Sequence, residues 1–249
     1  MSIDGTAGLA DLWDRLFGAQ PDPPALLVLV TGLLALAVVV TRMPWRIARN
    51  AITIAHEGGH ALAAVLTGRR LRGIRLHSDT SGLTLSAGRP SGPGMVFTLL
   101  AGYVAPSLVG LAGAWLLGGN RITLLLWIAV ALLLVILVMI RNVFGVVSIV
   151  VTTAIVLGIS WYASPQVQAA FAYAGMWFLL IGGVRPVREL QTLRRRGRMP
   201  ESDADQLAGV THLPAIFWVA LFGVVNLAAL ALGVVLLAGQ WLPEVGVDL

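Results

Sequence analysis

Residues 56–60 read His-Glu-Gly-Gly-His. Residues four apart on a helix share a face, so His56 and His60 can aim imidazole nitrogens at one Zn²⁺. Glu57, beside them, can reach a water held by that metal. The metal would lower the water's pKa towards about 7 and polarise a peptide carbonyl. Glu57 would take the water proton and pass it to the leaving amine. Neutral imidazoles are needed for binding, so activity should fall at acid pH. The competing reading is a His-Glu pair buried as a structural polar cluster. The chain has no Cys, which leaves His, Asp, Glu and Asn as ligands and excludes disulfides.

These residues must be positioned by a membrane protein. Of 249 residues, 57% are hydrophobic and only 12% charged, and mean hydropathy is +0.86. Soluble domains carry about a quarter charged residues, so a soluble globular domain and a disordered chain are both excluded. The net charge of +5 raises nucleic acid as a partner. Yet every basic residue is Arg and sits at the end of an apolar run, where positive-inside topology places it. The lipid bilayer, not nucleic acid, is the expected surroundings. The first 22 residues hold four Asp and no basic start before an apolar core, so no cleavable signal peptide is expected.

A span needs about 20 apolar residues. Candidates are 24–41, 46–67, 94–117, 122–140, 142–160, 167–183 and 213–238. The expected fold is an all-α polytopic membrane protein of six to seven transmembrane helices, with a small β-hairpin at 68–92 after the second. The second span is unusual because ionisable residues at membrane depth are costly and signal function. The expected organisation is an N-terminal cytoplasmic segment over 1–23, one integral membrane domain over 24–238 and a tail over 239–249. Residues 184–212 form an Arg-rich, amphipathic cytoplasmic segment. With seven spans and the N-terminus inside, thirteen arginines lie inside; Arg42, Arg46, Arg49 and Arg121 lie outside. This favours a cytoplasmic N-terminus, in a bacterial plasma membrane.

Catalytic zinc usually has three protein ligands and an open position. Asp203 is the first choice for the third ligand, because its segment falls on the same side as the end of the His56–His60 helix. Asp205 is the next. Ser202 with Asp205 also reads as a helix cap, which leaves Asp203 as favourable charge in a first turn. Asn142 could face the site as a ligand, stabilise an oxyanion or cap its helix. His77 is a further site candidate near the hairpin turn, with a surface histidine as the plainer reading. Asp79 suits the turn itself, and His212 suits a structural role. Gly58 and Gly59 imply a close approach, either of a substrate or of a packed helix. The tryptophans suit interface anchoring. An exposed strand edge at Gly82, Leu83 and Thr84 could hold an extended substrate by β-augmentation.

With these features in order, the sequence resembles the site-2 protease family of intramembrane zinc metalloproteases, and within it the peptidase-M-fifty-B-like branch. The matching residues are His56-Glu57-Gly58-Gly59-His60-Ala61, Leu66-Thr67-Gly68, Gly73-Ile74 with His77, Gly82-Leu83-Thr84, Ala101-Gly102-Tyr103, Arg141-Asn142 and Ser202-Asp203-Ala204-Asp205. The resemblance covers about residues 44–238. It implies a protease that cuts transmembrane protein substrates within or beside the bilayer. The family pattern supplies a third ligand from an Asp in a Leu-Asp-Gly motif on a later span, and no such motif exists here. Two other readings stand beside it. One is an inactive protein of the same fold that binds partners; the other is a transporter or channel with an intramembrane His/Glu site.

Overall fold

The computed structural model describes residues 17–197 and 202–238. Most of the N-terminal segment and the whole 239–249 tail lie outside the described residues, as do Arg15 and Arg198. The elements are α1 (Ala25–Val40), α2 (Arg42–Leu66), β1 (Arg70–Leu76), β2 (Gly82–Ala87), α3 (Pro93–Gly118), α4 (Ile122–Met139), α5 (Val143–Tyr162), α6 (Pro165–Arg195), α7 (Asp203–Thr211) and α8 (Ala215–Ala238). Helices α3, α4, α5, α6 and α8 are each long and apolar enough to cross a membrane. Helices α1 and α2 qualify only as a pair, bent by 103°. Among the described residues this gives five spans, or six with the pair, and the hairpin follows the second helix as expected.

The bend corrects the expected second span at 46–67. Pro44 lacks an N–H, and its ring clashes with the carbonyl four residues back, so α1 cannot run through it. Thr41 is extended instead (φ −85°, ψ 132°), and Pro44 falls in the first turn of α2, where no donor is needed. α2 is amphipathic rather than apolar all round. It buries Trp45, Ile52, Glu57, His60 and Ala64 on one face, while Met43, Ile47, Leu62 and Leu66 stay exposed.

Both ends of α2 lie at one end of the bundle. Tight turns join α3 to α4, α4 to α5 and α5 to α6, so these helices alternate in direction. The chain entering α1 meets the α3–α4 turn, where the Gln20 N–H donates to the Asn120 carbonyl at 3.0 Å. The opposite end of α1 meets α6, where Arg185 donates to the Val39 carbonyl. α2 then closes on the start of α3 through Thr67 Oγ1 and the Gly94 carbonyl at 3.5 Å. Arg42, Arg46 and Arg49 therefore share an end with every other described arginine except Arg121. Residues 184–195, expected in a separate amphipathic segment, instead continue α6.

The hairpin pairs antiparallel, with Ile74 opposite Thr84 and Leu76 opposite Gly82. Its turn is closed by the His77 N–H to the Ser81 carbonyl at 2.8 Å. The Asp79 carboxylate accepts the Ser81 N–H at 2.9 Å, the turn role expected of it, and the Ser81 hydrogen bonds hold its pKa below the ordinary value. The other edge of β1 joins the α4–α5 turn: Ile74 bridges Ile140, and the Arg141 N–H donates to the Ile74 carbonyl at 2.9 Å. Gly73 permits this approach, since a Cβ there would lie 2.4 Å from Arg141 Cγ. The outer edge of β2 pairs with no strand among the described residues. Tryptophans divide by location: Trp115 and Trp161, towards the end opposite the hairpin, are exposed. Trp45, Trp177 and Trp218 are core residues, not interface anchors.

Candidate metal centre

The helical spacing of His56 and His60 works out as the sequence suggests, and α7 closes the set. His56 Nε2 and His60 Nε2 are 3.0 Å apart. Asp203 Oδ2 lies 3.4 Å from His56 Nε2 and 3.2 Å from His60 Nε2. Zinc–ligand bonds of about 2.0–2.1 Å at tetrahedral angles require ligand atoms roughly 3.3 Å apart. The triangle therefore fits one face of a zinc tetrahedron, and these three residues form a group able to hold a metal ion.

The hydrogen bonding argues the same way. His60 Nδ1 lies 2.6 Å from the Thr98 carbonyl, which can only accept, so Nδ1 carries the proton. In the neutral ring Nε2 then presents a lone pair. That lone pair faces a carboxylate oxygen and a second imidazole nitrogen. Two imidazole nitrogens and a carboxylate oxygen converging in a site of low exposure make a donor set that a cation can bridge, and a backbone carbonyl behind a ligating histidine is the usual orienting partner.

Small residues create the room. A Cβ on Gly102 would lie 2.3 Å from His60 Nε2 and 2.8 Å from His56 Cε1. A Cβ on Gly59 would lie 2.4 Å from Ala105 Cβ and 2.8 Å from the Ala101 carbonyl oxygen. Gly59 thus serves close packing of α2 on α3, one of the two expected readings. Gly58 lies against the flexible tip of Ile136, to which a Cβ would come within 3.3 Å. The Tyr103 ring meets His56 edge-on, with centroids 4.9 Å apart, and stacks on Phe222 at 5.0 Å.

Glu57 is only 4% exposed. Thr84 Oγ1 lies 2.6 Å from its Oε2 and donates to it. Gly82 crosses so near that a Cβ would fall 2.5 Å from Glu57 Oε1. Strand β2 therefore lies directly on this carboxylate, with Leu83 and Leu85 outward and exposed.

Three other candidates are held elsewhere. Asp205 forms a forked pair with Arg194, with Nη2 to Oδ1 at 2.6 Å and Nε to Oδ2 at 3.0 Å. It also accepts from the Ser202 hydroxyl at 2.6 Å, and the Arg194 contact lowers its pKa from the ordinary value. Ser202 caps α7 in turn, so capping and presentation of Asp203 share one helical turn. Asn142 spends both ends of its amide on β1: Nδ2 donates to the Leu76 carbonyl at 2.7 Å, and Oδ1 accepts the Leu76 N–H at 3.2 Å. It extends the sheet rather than facing the histidines. His77 is exposed on the hairpin turn, 3.3 Å from Ser81 Oγ. His212 closes α7 with a left-handed φ of 62°, a structural role.

One supporting residue escaped the sequence reading. Asn226, fully buried in α8, donates through Nδ2 to the Tyr103 carbonyl and the Gly183 carbonyl, both at 3.0 Å. Each carbonyl lies three residues before a helix-interior proline, Pro106 in α3 and Pro186 in α6. Each proline lacks the N–H that the carbonyl one residue earlier, of Gly102 or Gly182, would accept, so Asn226 ties α3 and α6 together beside an interrupted rung of each helix. A lone amide within an apolar run was the available signal.

A family model described as Peptidase M50B-like matches residues 29–233, a stretch that contains all three converging residues and Glu57. No curated protein and no solved structure matches the chain. On the strength of that match, the chain belongs to the Peptidase M50B-like family.

Proposed function

We propose that this protein is a zinc-dependent intramembrane endopeptidase acting on transmembrane protein substrates. The observation that carries the reading is the triangle of His56 Nε2, His60 Nε2 and Asp203 Oδ2, with edges of 3.0–3.4 Å. When bound there, zinc supplies Lewis acidity that activates water near neutral pH and polarises the scissile carbonyl. His56, His60 and Asp203 would hold it, and the Thr98 carbonyl would keep His60 in the ligating tautomer. Glu57 takes a proton from the attacking water as oxygen bonds to the carbonyl carbon. It gives that proton to the amide nitrogen as the C–N bond breaks. A helix hides its carbonyls, so the substrate must be extended, and the free edge of β2 at Gly82, Leu83 and Thr84 can pair with it.

The arginine distribution bears on orientation. The positive-inside tendency puts the hairpin and the metal site on the cytoplasmic side. The start of α1 then lies on the opposite side, the reverse of the orientation expected from seven full spans. Because the chain lacks Cys, single substitutions S78C and S164C report the two ends. Labelling of S164C alone by a membrane-impermeant maleimide in intact cells supports this orientation, and labelling of S78C alone reverses it.

The decisive functional experiment is Glu57→Gln in proteoliposomes carrying a panel of single-span membrane proteins. Wild-type protein should release fragments. The variant should keep zinc near one per chain and lose about 10²–10⁴-fold in cleavage rate. A variant that still cleaves refutes the assigned role of Glu57. A wild-type protein that binds zinc and cleaves nothing refutes the endopeptidase.

A further inference from the structure

A cavity whose lining includes none of His56, His60 and Asp203 lies elsewhere in the molecule. It has a volume of about 780 Å³ and opens where α1 bends into α2 and both meet α6. Its walls are of two kinds. Leu36, Val40, Ile181 and Leu230 supply an apolar side, and arginines supply the other. Among the lining residues Glu189 is the one acid, and it is already committed. It pairs with Arg185 at 2.8 Å and with Arg49 at 3.6 Å. The same two guanidiniums lie over the Trp45 ring, at 4.7 Å and 5.7 Å from its centroid. Arg42, Arg46 and Arg188 have no acidic partner among the described residues, and all three are exposed.

We propose that this cavity is a binding site for an anionic phospholipid, with its phosphate on Arg42, Arg46 and Arg188 and its acyl chains along the apolar side. Charge complementarity and location both favour such a lipid. Uncompensated guanidiniums favour phosphate oxygens, which they can grip in a forked geometry. Basic pockets between membrane helices on the arginine-rich side are where lipid headgroups bind. The volume is of the order that encloses a small ligand or headgroup. A soluble phosphate would leave the Leu36–Leu230 side bare, whereas a lipid covers both kinds of wall. Because the lining includes the α1–α2 bend, the lipid would brace the helix that carries His56 and His60. The proposal does not depend on proteolysis.

Native mass spectrometry of the delipidated full chain tests it, using phosphatidylglycerol and phosphatidylcholine of identical acyl chains. Phosphatidylglycerol should be retained about tenfold or more over phosphatidylcholine. R42Q/R46Q/R188Q should remove most of that preference. R70Q/R72Q/R75Q, with the same charge change on the hairpin, should keep it. Inorganic phosphate at millimolar concentration should not displace the lipid. Single variants R46Q and R188Q, read separately, should move the preference in the same direction by a smaller factor, so the test survives a triple variant that fails to fold. Equal retention of both lipids, equal loss in both triple variants, displacement by phosphate alone, or crosslinking of a substrate helix in place of lipid would each overturn the site.

Discussion

The two ends of the bundle are built on different principles. At the far end, α3 and α4 meet through a three-residue turn, α5 and α6 through a two-residue turn, and Trp127 packs edge-on against Trp161. At the near end, α1 breaks, a hairpin is inserted, and a nine-residue helix interrupts the route from α6 to α8, while α3 and α6 carry prolines in their interiors. Apolar spans suffice to make a bundle; bringing two imidazoles, two carboxylates and a strand to one place takes departures from regular helix. Irregularity here is the means of placement, so changes at the near end should separate chemistry from stability.

The largest separation is expected for Asp203→Ala. Zinc affinity should fall by more than the roughly 10–100-fold that loss of a supporting partner costs, as read by metal competition, with little change in thermal midpoint. Next comes Gly102→Ala, whose added Cβ must displace the His60 ring. A fall of roughly 10–100-fold in zinc affinity is expected, and an unchanged affinity would show that the ring can move freely. Thr84→Val keeps shape but removes the donor to Glu57. Cleavage should drop about tenfold, the worth of one such hydrogen bond, with zinc content unchanged; equal loss of zinc would break the division of labour between hairpin and metal ligands.

Two smaller effects belong to stability. Asn226→Ala removes two buried hydrogen bonds, to the Tyr103 and Gly183 carbonyls, so unfolding should become easier by about 1–3 kcal/mol, measured by thermal denaturation in detergent. Asp205→Asn should cost about 1 kcal/mol near neutral pH, since the Arg194 pair is partly solvated. Its pH dependence has a definite sign. Arg194 holds the Asp205 pKa below its unfolded value, so the stabilisation is present above about pH 4. It is lost as pH falls through the folded value, and the deficit of the variant should shrink in acid.

Much of this was legible in the chain because apolar run length and His-Glu-x-x-His spacing are local properties. The runs that became α3, α4, α5 and α8 announce themselves by composition, and His56 and His60 by period. The second span misled because hydropathy over 46–67 says nothing of direction; Pro44 and Thr41 set that. Asp203 and Asp205 share one capping turn, and what separates them is Arg194, eleven residues before Asp205 and visible as its partner only once α6 and α7 pack. Asn142 looked like a free amide at a helix start because its partner, the Leu76 backbone, lies 66 residues away.

The central claim is that His56, His60 and Asp203 together bind zinc. X-ray absorption at the zinc edge on the purified full-length chain tests it most directly. About one zinc per chain is expected, with two imidazole nitrogens and a carboxylate oxygen at about 2.0–2.2 Å, and loss of this signal in Asp203→Ala. Absence of zinc, or a shell that lacks both imidazoles or is unchanged in that variant, would contradict it.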